Sequence, residues 1–389
     1  MSRDSKQEFG AGLFQPVYQA GTTRQIVQHE FAAANFELGA LNRPASLNNF
    51  QSQLSLDQVI YDAGQTRTGI HSAELARKMT AQDERRVRMS ILAAVARTYY
   101  DAVLAAASLQ TAAQSLRSAE ADLKRAESVR AAGMSTDADV LSIRVHLAVV
   151  DEQRIQRAAD LDVAKAALND ALGIPLDTPH TLTTPLTALD LPDMSLDSVE
   201  RDAAAGRPEA LQSHFAADLA STQAGAARAA FKPQIALHAA FEADRQNFFY
   251  KGGANWLTSI GLRWNLFNGF ADKARIQESS HWMERAHADE QRVDSAVRLD
   301  VRRSWAALRA AGQRIEVAKA AVAEAEESLR ITQNRYEAGM SNVTDLLRTE
   351  TAALESRTRY LAAVHDQRLA ATSLELAAGR LTADSEVLQ

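Results

Sequence analysis

Cysteine is absent from the 389 residues, which excludes disulfides, thiolate zinc sites, a cysteine nucleophile and a lipidated cysteine within them. Aromatic residues supply only 6% of the chain. Much of the 46% counted as hydrophobic is alanine, which favours helix and close helix packing but gives little bulk for a rounded core. No window holds 18 uninterrupted apolar residues, so no transmembrane helix is expected. There is no long basic run, and a net charge of -6 argues against a nucleic-acid surface. The nine histidines include no i,i+4 pair, and His281 and His287 stand six apart, so no metal site is expected. Gly10-Ala11-Gly12 is preceded by no strand and followed by no Gly-Lys-Ser/Thr, so it is not a phosphate loop. No nucleophile, base and orienting acid can be assembled, so neither an enzyme nor a cofactor is expected.

What the sequence does contain is a copy of itself, displaced by 206 residues. Tyr61-Asp62-Ala63 answers to Phe267-Asn268-Gly269, Ala132-Gly133-Met134-Ser135 to Ala338-Gly339-Met340-Ser341, and Gly173 to Gly379. In both copies 72 positions separate the first landmark from the tip glycine and 40 separate the tip glycine from the last. A segment that tolerates no change of length behaves as a rod whose two ends must stay in register. Residues 1–196 and 197–389 are read as two structural repeats of one domain.

Each repeat predicts a long helical hairpin. Leu92, Ala96, Tyr99, Val103, Ala106 and Leu109 recur at steps of three and four, and Val301, Trp305, Leu308 and Ile315 repeat the stripe. Gly133 and Gly339 suit the left-handed position that ends a helix. Thr136 with Asp139, and Asn342 with Asp345, place a capping residue three positions before an acid, announcing the returning helices over about 137–172 and 343–378.

Beside the rods stand strands of period two. Trp256, Thr258, Ile260, Leu262, Trp264 and Leu266 alternate with polar or small residues, as do Leu54, Leu56 and Ile60 in the first copy. Such alternation suits any half-buried strand, but a length of about eleven residues with aromatics near the ends also matches a tilted membrane strand. Gln234 to Phe241 reads as a hairpin partner, followed by a polar outer loop over 242–247. Two strands per repeat give four per chain, which cannot close a barrel, so several chains must contribute; three would give twelve strands.

Residues 197–230 read as one helix leading into a strand at Pro233. Its twin, 206 residues earlier, falls at about -9 to 24, where the sequence reads as loop. Met1 is followed by Ser-Arg-Asp-Ser-Lys-Gln-Glu, with no apolar signal region. The expectation is an internal start, with a signal peptide, a first helix and most of a first strand upstream.

From about Phe31 to Leu381 these residues resemble the TolC-like outer-membrane efflux proteins of Gram-negative bacteria. The strand ends Ile60-Tyr61-Asp62-Ala63-Gly64 and Leu266-Phe267-Asn268-Gly269 carry the resemblance, with the tips Ala131-Ala132-Gly133-Met134 and Arg335-Tyr336-Glu337-Ala338-Gly339-Met340. Asp139-Val140-Leu141, Asp345-Leu346-Leu347 and Gly206-Arg207-Pro208-Glu209-Ala210 complete it. It implies a mainly α fold with a small β part, in which three chains form a trimeric α/β barrel. A membrane β-barrel sits in the outer membrane, and a coiled-coil barrel of antiparallel helical hairpins extends into the periplasm. It also implies an exit duct of a tripartite efflux pump or type I secretion system, docked onto a periplasmic adaptor and an inner-membrane pump.

By the same resemblance Asp139, Tyr336, Ser341, Asp345 and Arg348 fall at the periplasmic entrance, and Gly133, Met134, Gly339 and Met340 at adaptor-docking tips. Trp256, Ile260, Leu262, Trp264, Leu54 and Leu56 fall on the membrane face. Ser341 stands where the family has a basic residue, which removes a charged latch and leaves at most a neutral hydrogen bond. Arg348 stands where the family has a second acid, within i,i+3 reach of Asp345. Capping alone also accounts for Asp139 and Asp345, and a solvated helix face for Arg348. A periplasmic coiled-coil adaptor without a barrel shares the hairpins but has no use for an apolar-out strand with Trp256 and Trp264.

Overall fold

The computed structural model describes residues 15–26, 46–133, 135–190, 194–245 and 252–388. In chain order the elements are β1 (Gln15–Ile26), β2 (Ser46–Tyr61), α1 (Gln65–Ala131), α2 (Asp137–Leu172), α3 (Leu196–Gly206), α4 (Pro208–Ala229), β3 (Gln234–Arg245), β4 (Gly252–Arg263), α5 (Ala271–Glu337) and α6 (Val343–Ala377), closed by a short 3-10 turn at Glu386–Leu388. The repeat is visible in the boundaries. α1 and α5 both run for 67 residues, and their starts and ends differ by the same 206 positions as the landmarks.

The strand-to-helix landmarks are turns with a fixed chemistry. Asp62 accepts from the Gly64 and Thr66 amides at 2.9 and 2.6 Å, and Asn268 accepts from the Asp272 amide at 3.3 Å. Each side chain therefore satisfies amides that the first helical turn leaves free. Both turns hold two consecutive residues in the left-handed region: Ala63 and Gly64 in one, Gly269 and Phe270 in the other.

Two compact units arise, each assembled from both repeats. One spans Met1–Lys78 and Phe215–Ala288, the other Met79–His214 and Asp289–Gln389. The first contains an antiparallel sheet of order β1-β2-β3-β4. In register, Leu54 faces Phe241, and Leu237 and Phe241 face Ile260 and Trp256. The second unit is helical. Its largest apolar core packs Val199, Ala203 and Ala210 against Val301, Leu308, Leu374 and Ala377. Tyr100 donates to the Val387 carbonyl at 2.9 Å, and Arg368 donates to the Tyr100 hydroxyl and the Thr187 carbonyl at 3.1 and 3.0 Å, which ties the inter-repeat segment and the C-terminal turn to the helices.

Four expectations need correction. The single helix over 197–230 is broken, because Arg207 is extended (φ -72°, ψ 127°) and Pro208 opens α4; a residue before proline is disfavoured in the helical region. Residues 15–26 form β1 and not loop, so a first-copy strand lies within the chain. It escapes the constant offset because 19 residues separate β1 from β2 and only 6 separate β3 from β4. β4 stops at Arg263, leaving Trp264 and Leu266 beyond the strand, where the Trp264 indole donates to the Phe231 carbonyl at 3.1 Å. The expected polar loop is strand β3 as far as Arg245; residues 246 and 247 lie outside the described residues.

Candidate functional site

The two hairpin tips are built alike. Gly133 (φ 75°) and Gly339 (φ 72°) follow α1 and α5 in the left-handed conformation. Their amides donate to the Arg130 and Tyr336 carbonyls at 2.8 and 3.0 Å, and the Met340 amide reaches back to the Arg335 carbonyl at 2.8 Å. These bonds satisfy carbonyls that the last helical turn leaves free. α2 then starts with a reciprocal cap: the Asp139 amide donates to Thr136 Oγ1 at 3.2 Å, and the Thr136 amide donates to Asp139 Oδ2 at 3.1 Å. α6 starts with the Asp345 amide donating to Asn342 Oδ1 at 2.8 Å.

The tip acids are thus held locally. The Thr136 amide and hydroxyl keep the Asp139 carboxyl below its ordinary range, with Ser135 adding a hydrogen bond at 3.1 Å. Ser341 donates to Asp345 Oδ2 at 3.3 Å, so the carboxylate is engaged within its own tip while Asn342 caps the helix. Arg348 is exposed, and among the described residues no ion pair joins it to Asp345. Tyr336 packs with Leu123 and Leu347 against Ala126, Val140, Ile143 and Val343, an apolar cluster that joins both hairpins. Burial, then the charges of Asp139 and Asp122, raise its hydroxyl pKa; no hydrogen bond joins Tyr336 to Asp139 among the described residues. Met340 is 66% exposed. Met134 lies outside the described residues.

Behind the tips is a polar cluster that the sequence reading missed. Asp122 on α1 is 1% exposed and Glu350 on α6 is 9% exposed. Arg125 donates to Asp122 Oδ1 and to Glu337 Oε1 of α5, both at 3.1 Å, while His146 Nε2 of α2 lies 3.2 Å from Glu350 Oε2. Burial, followed by the Glu350 carboxyl, pushes Asp122 up to about 7 against the opposing pull of Arg125 and Gln333. Burial also pushes Glu350 upward, but hydrogen bonds from His146 and Asp122 outweigh it and hold Glu350 below its ordinary value. A signal was present: Ala119, Asp122 and Ala126 on α1, and Leu346, Glu350 and Ala353 on α6, are buried at seam spacing, so an acid occupies a core position in each.

The sheet has two unlike faces. Trp256, Ile260 and Leu262 are 80%, 71% and 66% exposed; Leu54 is exposed beside Phe241, and Leu56 is half-buried. The alternate residues bond to one another: Gln51 donates to Glu242 at 2.6 Å, and His238 Nδ1 lies 2.7 Å from Asp57 Oδ1. An apolar face open to its surroundings backed by a self-satisfied polar face is the pattern of a membrane strand around an aqueous lumen.

A model of the outer membrane efflux protein family matches residues 33–174 and 200–380. Protein CyaE of Bordetella pertussis is 31% identical over 328 residues, which cover 83% of this chain and 69% of that protein. The alkaline protease secretion protein AprF of Pseudomonas aeruginosa is 25% identical over 362 residues, covering 90% and 74%. Among solved structures, the open-state MtrE outer membrane channel of Neisseria gonorrhoeae superposes with a TM-score of 0.76 at 20% identity, over 94% of this chain and 80% of that one. CusC gives 0.76 at 18% identity over 94% and 83%. The fold is therefore the TolC-like one, and the chain belongs to the outer membrane efflux protein family. It is a channel protein of the outer membrane with a periplasmic extension, of the kind that serves efflux pumps and type I secretion, and a transport protein without enzymatic activity. Family membership implies a trimeric channel, and the reading as an adaptor without a barrel falls.

Proposed function

We propose that three copies of this chain close one twelve-stranded barrel in the outer-membrane bilayer, and that the tips around Gly133 and Gly339 receive cargo from a periplasmic adaptor and an inner-membrane pump. On this reading residues 1–196 and 197–389 are two repeats of one domain, each giving two strands and one hairpin to the ring. Asp139, Tyr336, Ser341, Asp345 and Arg348 line the entrance, and Met340 joins the tip glycines as a docking residue.

The observation that carries the reading is the open sheet. Among the described residues β1 and β4 each pair on one side only, and β4 presents an exposed apolar face. Hydrocarbon offers no partner for free backbone amides and carbonyls, so those edges must meet edges of other copies. Because the chain has no cysteine, single cysteines introduced along β1 and β4 give an unambiguous test. Oxidised membranes carrying a pair in matching register are expected to yield covalent dimers and trimers. Monomer at every register would rule out closure through these edges.

A further inference from the structure

We propose that Asp122 and Glu350 share a proton that clasps the two hairpins together behind their tips, and that loss of this proton parts them, which makes the channel entrance pH-sensitive. The inference rests on the reading that the entrance lies at the tips.

The geometry is that of a node between four helices. Asp122 and Arg125 come from α1, His146 from α2, Gln333 and Glu337 from α5, and Glu350 from α6. Arg125 occupies one oxygen of Asp122, while the other, Oδ2, is buried without a hydrogen-bond partner among the described residues. An ionised carboxylate cannot supply one to its acidic neighbour, whereas a proton between Asp122 and Glu350 satisfies an oxygen of each. Removing it leaves two buried like charges across the hairpin seam, and such a pair does not ionise together easily. The node is also absent from the internal repeat. The positions 206 away from Asp122 and Glu350 are Ser328 and Arg144, so this is a departure from the repeat's common framework.

Asp122 moves from an ordinary 3.8 to about 7 in the folded node. Between those values the folded protein holds a proton that the unfolded chain has released, so the stability of the clasp falls as pH rises through that window.

The test places spin labels at Ala132→Cys and Ala338→Cys, dilutes the doubly labelled full chain into unlabelled chain, and measures the tip-to-tip distance in lipid nanodiscs from pH 5.5 to 8.5. Channel conductance is recorded in planar bilayers over the same range. The expected result is a several-fold rise in the long-distance population with a midpoint near pH 7, matched by a rise in conductance. Asp122→Asn, which keeps the shape and removes the titration, should stay in the short-distance state throughout. Should that variant not assemble, Glu350→Gln carries the same comparison, because a neutral amide abolishes the shared site. Distances that do not change with pH, or a shift retained in both variants, would overturn the clasp. A distance change that depends on Asp122 with no change in conductance would leave the clasp standing and overturn the placement of the entrance at the tips.

Discussion

Gly173 and Gly379 occupy equivalent positions of the repeat, yet they carry different duties. Both are left-handed, at φ 69° and 71°, so either would strain a residue with a side chain. Only Gly379 is also crowded: a Cβ there would meet the Arg207 Cα at 2.7 Å, whereas nothing lies within 4 Å of one at Gly173. Arg207 cannot retreat cheaply, because its guanidinium bonds Glu209 and Asp300 at 3.1 and 3.0 Å. Gly173→Ala should cost about 1–2 kcal/mol, the left-handed strain alone. Gly379→Ala should cost clearly more, and the melting temperatures of the two solubilised variants compare them directly. The sequence marks both glycines as helix ends, which they are. It does not mark the crowding, since Arg207 lies far from Gly379 in the chain and meets it only through packing. The same holds for Asp122 and Glu350, whose seam spacing is visible locally but whose approach depends on how two hairpins pack.

Among the elements, the helices were the most legible part of the fold. A seam at steps of three and four, bounded by glycines and by capping pairs, leaves one reading for α1, α2, α5 and α6, and the tip caps at Thr136 and Asn342 form as expected. The short elements were less so. α3 and α4 are divided by the extended Arg207, and β1 is hidden because the residues between it and β2 outnumber those between β3 and β4. The tips themselves have the same length in both hairpins, five residues from α1 to α2 and five from α5 to α6. Gly133 and Gly339 have open space around a would-be Cβ, so Gly133→Val and Gly339→Val strain the backbone without a clash. Export should be lost while the amount of trimer in the membrane stays near wild type. Parallel loss of trimer on a native gel would show that the glycines shape the fold and do not serve docking.

For the whole molecule, the proposed entrance makes a prediction that electrophysiology can read. Arg348 is exposed, and among the described residues no ion pair joins it to Asp345; with both residues at the proposed entrance of a trimer, three positive charges would stand in the same ring as three acids. Wild-type channels should then show weak cation preference and poor block by trivalent cations. Arg348→Asp places six carboxylates there, and strong trivalent block at low salt is expected. Strong block of the wild type that the substitution leaves unchanged would mean that Arg348 faces away from the pore.

The unequal strand connections have a consequence for anything that grips this protein. Nineteen residues join β1 to β2 and six join β3 to β4, whereas the turns at Gly133 and Gly339 match. In a ring of three chains the long and short connections alternate, so a ligand that recognises the long one finds three identical stations. A partner that recognises the helical turns finds six nearly equivalent ones. The binding ratio of any captured protein, three or six per ring, therefore reports which of the two symmetries it has engaged.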